Sequence, residues 1–326
     1  MTPLPDVGPP FAAVHVVTNP GSGSGGGLPA AIVAALDAAC VGWTRLDCGD
    51  AAGPDVLARR ALAAGADLVV AHGGDGTVRA VADALAGTDA VMAVLPAGTA
   101  NVFAAELGLT GGLPGALALV TGAAPAAVRR VDIGRATAEG SSPESDGEHP
   151  FLLRIGLGLQ AAMVTNVPAA AKKRLGRLAY ALQFAREWRR LRPHRYTVSV
   201  DGGPPERTAG VSCLVCNTTT AGMPGRTFLD DGDDASDGRL DVVVARRMGA
   251  HALGVALWHG VQGVARGRGF SLRPSPEIRV WSGAHVRVAV EPAQEAACDG
   301  EALGRVRRVE ARVHAATLRV LVPAGR

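Results

Sequence analysis

Apolar residues in the first third of the chain come in short runs: Val14-His15-Val16-Val17-Thr18, Leu68-Val69-Val70-Ala71 and Val91-Met92-Ala93-Val94-Leu95. Each run is followed by a glycine-containing polar stretch and then by a helical-looking segment. Runs that do not alternate with polar residues suit strands covered on both faces. Residues 43–48 supply a further strand, and helices are expected over 28–39, from about 54 to 64, and over 78–85. Strands alternating with helices of this length form βαβ units and a parallel sheet, with ligands at the carboxyl ends of the strands.

The pattern changes near Arg129. Extended segments follow at 131–137, 151–156, 195–200, 208–216, 240–245, 277–281, 285–290 and 306–313, several separated by turns such as Asp201-Gly202-Gly203-Pro204-Pro205. This predicts a second, mainly β domain, a sandwich or related antiparallel structure. The expected division is an α/β domain over 1–130 and a β-rich domain over 131–314. The last apolar run, within about 315–326, either closes the second domain or returns to the first. Residues 139–149 are polar and acidic and read as an exposed hairpin loop. One helix is expected inside the β region, over 172–192, with Leu175, Leu178, Leu182, Ala185, Trp188 and Leu191 at helical spacing and Pro193 ending it. Its coat of Lys172, Lys173, Arg174, Arg177, Arg186, Arg189, Arg190 and Arg192 suits either anionic lipid headgroups or plain solvent.

Composition narrows the function classes. A chain of 326 residues, 48% of them hydrophobic, has room for two cores. No apolar stretch is long enough to span a bilayer, and the first residues lack a basic region followed by an apolar core, so a cytoplasmic protein is expected. A net charge of +3 is too small to indicate a nucleic-acid partner. Five cysteines argue against a disulfide framework. Cys213 and Cys216 form a C-x-x-C, but within a strand their side chains diverge, and buried structural thiols are expected. Lys172 and Lys173 are the only lysines, so no Walker-type G-x-x-x-x-G-K-[ST] loop exists.

The chemistry lies in the loops. His72-Gly73-Gly74-Asp75-Gly76-Thr77 joins a strand to a helix, where glycines let backbone N–H groups approach an anion and the helix dipole favours phosphate. Asp75 amid such a cradle would repel phosphate unless a cation intervened, which implies Mg²⁺ with a nucleotide. Asn19-Pro20-x-Ser22-Gly23 and Pro96-x-Gly98-Thr99-x-Asn101 follow the first and fourth strands. Alone they read as a linker and a capped helix; after three strands of one sheet they read as one phosphate site. Near the C-terminus, Asp299-Gly300-Glu301 is a hairpin-turn signal, yet phosphoryl transfer to an alcohol needs a carboxylate to take the hydroxyl proton and acidic groups for the metal. Asp299 and Glu301 suit those roles. The acidic stretch 229–241 is like a calcium loop but lacks the D-x-[DN]-x-[DN]-G pattern closed by Glu, leaving a small cation site or a solvated turn open.

Taken in order, these three loops, with Lys172-Lys173-Arg174-Leu175-Gly176, Asp237-Gly238-x-Leu240-Asp241 and Asp299-Gly300-Glu301, resemble the diacylglycerol kinase catalytic-domain family. These soluble bacterial lipid kinases share the domain with sphingosine and ceramide kinases. The resemblance implies an ATP-binding α/β domain, similar to NAD kinase and phosphofructokinase, and a β-sandwich domain, with lipid entering between them. It implies that Asp75 and Glu301 organise Mg²⁺, partly through water, and that Asp299 is the general base toward a lipid hydroxyl. Asn19, Pro20, Ser22, Gly23, Gly73, Gly74, Gly76, Thr77, Gly98, Thr99 and Asn101 would serve the nucleotide. Asp237, with main-chain oxygens near Asp234 and Arg239, matches a structural metal position. Val102 departs from the family, many of whose bacterial diacylglycerol kinases carry Asp there; sphingosine kinases have an apolar residue. The expected activity is ATP-dependent phosphorylation of a lipid, foremost diacylglycerol to phosphatidic acid. The alternatives are a sphingosine-type kinase, an NAD kinase and a regulator without turnover. Expected partners are a lipid at a membrane surface, through peripheral contact at the inner face, and a second copy of the chain as a homodimer.

Overall fold

The computed structural model describes residues 11–21, 27–39, 42–98, 100–140, 147–158, 161, 192–218, 236–246 and 278–324. Ser22, Gly23, Thr99, Asp234 and all of the expected basic helix except Arg192 lie outside the described residues. The chain forms two compact units, Met1–Ile133 with Ala315–Arg326, and Gly134–His314.

The first unit alternates β1 (Val14–Thr18), α1 (Ala30–Ala39), β2 (Trp43–Asp47), α2 (Pro54–Ala63), β3 (Leu68–Gly73), α3 (Asp75–Leu85) and β4 (Val91–Pro96), then α4 (Val102–Glu106) and α5 (Gly112–Val120). Its sheet runs β2-β1-β3-β4, all parallel, and the C-terminal end of β14 (Glu301–Pro323) adds beside β4 through Arg319 and Val320. The final apolar run thus returns to the first unit. Every residue of β3 is buried, which is why that strand shows no polar alternation. α3 starts at Asp75, three residues earlier than the apolar spacing suggests, because Gly74 is extended at its N-cap and accepts the Val78 N–H.

The second unit is antiparallel, ordered β12 (Ile278–Gly283), β11 (Leu240–Ala245), β10 (Ser212–Cys216), β7 (Arg154–Gly158), β13 (His285–Cys298), β14. β8 (His194–Val200) joins β13 to β9 (Glu206–Gly210), and β5 (Ala126–Gly140) forms a hairpin with β6 (Glu148–Phe151). β13 pairs with β8 over its first half and with β7 over its last residues, and its register against β14 shifts between Ala289 and Gln294. A strand that changes partners across such an irregularity is how a sandwich turns a corner. Val286, Val288 and Val290, Tyr196 and Val198, Cys213 and Val215, and Leu240, Val242 and Val244 fill the core. The buried Cys213 is part of it, and burial pushes its thiol well above the ordinary range, as for a thiol that packs in a core.

Several expected segments differ from the strands: β5 runs beyond 131–137 at both ends, and its hairpin with β6 takes in both ends of the expected 139–149 loop. β13 and β14 are far longer than 285–290 and 306–313, since Pro292 and Gly304 interrupt the alternation yet are absorbed as irregularities within the strands. The run 208–216 divides into β9 and β10, where Val211 N–H donates to Ala245 O and the chain leaves β8 for β7 and β11. The run 151–156 is broken at Leu152 and Leu153, whose N–H groups are taken by a side chain described below.

Candidate active site

Three loops of the first unit, after β1, β3 and β4, leave neighbouring parallel strands at their carboxyl ends. Hydrogen bonds tie them together. Asn19 donates its N–H to His72 O (3.1 Å) and its Nδ2 to Thr77 Oγ1 (3.0 Å), while its Oδ1 accepts the Gly21 N–H (3.0 Å), so Pro20 sits inside a closed turn. Ala97 N–H donates to Gly73 O (2.9 Å). Asn101, at φ +47°, closes its own loop: Gly98 N–H donates to Oδ1 (2.8 Å) and Nδ2 donates to Gly98 O (2.7 Å). Asn19, Thr77 and Asn101 therefore brace the loops with their side-chain amides and hydroxyl. Among the described residues of the loops, the groups suited to an anion are backbone N–H, at Gly74, the N-cap of α3, and at the exposed Gly76 in its first turn.

Gly98 is fixed by close approach. A Cβ on it would lie 2.6 Å from Gly74 Cα, backbone against backbone. Gly98→Ala should push the β3 and β4 loops apart, costing about 1–3 kcal/mol and lowering nucleotide affinity about tenfold. Urea unfolding and nucleotide titration of the variant check both effects, and an unchanged affinity would mean that these loops hold no nucleotide.

Asp75 is the first residue of α3, and its Oδ1 accepts the Phe103 N–H at 3.3 Å. Burial raises its pKa above the ordinary carboxylate range, and backbone N–H groups of Phe103, Val102 and Asn101, at the start of α4, only partly offset this. A half-buried carboxylate held at such cost, beside loops suited to phosphate, is a group that a cation would stabilise. His72, one residue before the glycines, is buried; burial and then the Arg45 charge lower its pKa, keeping the imidazole neutral.

In the second unit, Asp299 and Gly300 form a two-residue turn between β13 and β14, with Cys298 opposite Glu301. Both turn residues have positive φ, 46° and 89°, the type I′ conformation that Asp-Gly favours. The carboxylate of Asp299 accepts three backbone hydrogen bonds from the β6–β7 connection: Leu152 N–H on Oδ2 (2.7 Å), Leu153 N–H (3.1 Å) and Arg154 N–H (2.8 Å) on Oδ1. Its own N–H donates to Arg154 O (2.9 Å). Three N–H donors select the ionised, acceptor-only form of the carboxylate and fix its direction. Glu301 is exposed. Elsewhere Asp237 Oδ1 accepts the Arg239 N–H (2.8 Å), and the Arg239 guanidinium donates to Ser282 Oγ and O (2.8 and 2.7 Å). Among the described residues no cluster of three His, Cys, Asp or Glu is placed to hold a metal by itself.

Sequence reasoning passed over the β6–β7 connection and the buried Asn217, just beyond β10. Asn217 donates Nδ2 to Leu152 O (3.0 Å) and its N–H to Leu153 O (2.8 Å). Backbone donors leave no side-chain signature, so the only signal was a polar residue directly after an apolar strand.

Residues 13–136 match the model of the diacylglycerol kinase catalytic domain, and residues 154–322 that of the YegS C-terminal NAD kinase beta sandwich-like domain. The chain belongs to the diacylglycerol kinase catalytic-domain family. It is 28% identical over 249 residues to an uncharacterized protein of Synechocystis, covering 74% of this chain but only 51% of that one. It is 29% identical over 235 residues to a diacylglycerol kinase of Mycobacterium tuberculosis, covering 72% and 73%. The crystal structure of a diacylglycerol kinase from Bacillus anthracis shares the fold, with a TM-score of 0.68 over 96% of this chain and 98% of that one at 19% identity. The family's two-part architecture accounts for the α/β unit with its loop cluster and for the β-sandwich unit that carries Asp299. No helix among the described residues is long and apolar enough to cross a membrane.

Proposed function

We propose that this chain is an ATP-dependent lipid kinase that transfers the γ-phosphoryl group to a lipid hydroxyl, with diacylglycerol the foremost acceptor. The observation that carries this is the union of the β1, β3 and β4 loops into one backbone-lined cluster with Asp75 at its helix start. Loop and helix N–H groups would hold the phosphates. Mg²⁺, which the family implies, usually binds through one or two carboxylates together with phosphates and water rather than in an all-protein cage. Asp75, a carboxylate whose charge burial disfavours, suits that pattern. The ion would neutralise charge on the phosphates.

In the second unit, Asp299 would accept the proton of the lipid hydroxyl as that oxygen bonds to the γ-phosphorus. The bond from the γ-phosphorus to the bridging oxygen breaks, ADP leaves, and the proton passes from Asp299 to water. Positioning and charge stabilisation supply most of such catalysis, which suits a carboxylate held by fixed backbone donors. Ser22, Gly23 and Thr99 join the nucleotide site in this proposal, and Asp237 with Asp234 and Arg239 remains a second, structural cation position.

Val102 favours one competing reading. At this position only the backbone N–H is offered to Asp75, with no second carboxylate, so a protein that binds nucleotide and lipid without turnover is the alternative. Incubating the pure protein with labelled ATP, Mg²⁺ and diacylglycerol, sphingosine and ceramide in mixed micelles, with NAD as a soluble acceptor, separates these cases by product. A labelled lipid supports the kinase. Nucleotide binding with no labelled product supports the regulator.

A further inference from the structure

The hydrogen bonds around Asp299 continue one step beyond it. The Leu152–Leu153 peptide donates its N–H to Asp299 Oδ1 (3.1 Å) while its carbonyl accepts Asn217 Nδ2 (3.0 Å). The next peptide, Leu153–Arg154, donates its N–H to the same oxygen (2.8 Å) while its carbonyl accepts the Asn217 N–H (2.8 Å). Two successive peptide planes are thus gripped at both ends, by Asp299 on one side and Asn217 on the other. Bonds in series through a peptide polarise one another, and a plane held at both ends cannot rotate away from its acceptor.

The side-chain and backbone bonds of Asn217 differ in consequence. The backbone bond belongs to the continuation of β10 and survives any substitution short of proline. The Nδ2 bond depends on this side chain alone, and the residue is only 3% exposed, so no solvent donor stands ready to replace it. Without it Leu152 O loses this donor, and turning the 152–153 peptide toward another partner would withdraw the Leu153 N–H from Asp299.

We infer that Asn217 is a positioning residue for the proposed general base: by holding the Leu152 carbonyl, its side chain keeps the 152–153 peptide turned so that the Leu153 N–H stays on Asp299 Oδ1 and the carboxylate stays aimed. This rests on the proposed role of Asp299 and assigns to Asn217 a control of its orientation.

The test compares Asn217→Ala and Asn217→Ser with the unmodified full chain. Circular dichroism reports folding, and two further readouts go beyond stability. The first is hydrogen exchange of the Leu153 N–H, which needs no lipid substrate. With the Leu152 carbonyl released, Asn217→Ala should speed this exchange about tenfold beyond any change in global stability, and Asn217→Ser, which keeps a hydroxyl donor, should restore part of the protection. The second is turnover with ATP, Mg²⁺ and diacylglycerol in mixed micelles: kcat should fall about 10–100-fold with KM for ATP within about twofold. In an Asp299→Asn background, Asn217→Ala should cause little further loss, because nothing remains to be positioned. A folded Asn217→Ala protein whose Leu153 exchange and kcat both stay put overturns the inference. Should Asn217→Ala not fold, Asn217→Ser alone decides it, by a changed or an unchanged Leu153 exchange and kcat. If Asp299→Asn itself retains full turnover, the role of Asp299 fails first; if Asp299→Asn is inactive and Asn217→Ala is not impaired, only the role of Asn217 fails.

Discussion

Asp299→Asn is expected to lower kcat by about 10²–10⁴-fold, the range over which a general base contributes, while nucleotide affinity stays within about twofold. The substitution is nearly isosteric, so its effect is chemical. An amide cannot take the hydroxyl proton, and it also misfits its own cradle. Leu152 donates to one oxygen, and Leu153 and Arg154 donate to the other. Whichever way the new amide turns, its NH₂ meets at least one backbone N–H, leaving a donor without an acceptor at about 1–3 kcal/mol. The variant should therefore also melt lower, by about 5 °C. Turnover and thermal unfolding measured on one preparation give both numbers, and a variant with more than a tenth of the original kcat would exclude Asp299 as the base.

Asp75→Asn should move stability the opposite way. Burial sets the Asp75 pKa above its ordinary value, so as pH rises the unfolded chain releases this proton before the folded one does. Ionisation thus costs folded-state stability: the contribution is at its best below the ordinary carboxylate range and is lost as pH rises through the raised value. Asparagine keeps an acceptor for the Phe103 N–H and carries no charge. The melting temperature at neutral pH should rise by about 1–3 °C, and the gain should vanish in acid once the native carboxyl is protonated. Turnover should fall at least about 100-fold, with a raised requirement for Mg²⁺. A variant that is more stable and inactive marks a carboxylate kept for its ligand. One that is less stable at pH 7 would instead make Asp75 a helix cap and nothing more.

What the sequence displays is mostly what the backbone demands. β3 is legible because a strand covered on both faces needs an unbroken apolar run, and the glycine loops are legible because close approaches such as Gly98 against Gly74 admit no side chain. The Asp299-Gly300 turn is legible from its φ requirement. The direction of a polar side chain is not. Asn19, Thr77 and Asn101 look like ligands for phosphate, and the structure adds that their side chains hold one loop to the next or close a loop on itself. Asp299 looks like an exposed turn residue, yet it binds a chain segment nearly 150 residues away, and Asn217 holds that segment from the other side. The long strands were hidden for a related reason. Pro292 and Gly304 are breakers in an isolated segment, and antiparallel partners on either side carry the chain past them.

The proposed transfer of phosphate from ATP to a lipid alcohol is measured most directly as transfer of ³²P from the γ-position of ATP to diacylglycerol in mixed micelles, with Mg²⁺, for the unmodified chain beside Asp299→Asn. Labelled phosphatidic acid is expected from the first and, from the second, a rate lower by about 10²-fold or more with nucleotide still bound. Label on NAD, or on no acceptor in the panel despite saturating nucleotide, would contradict it.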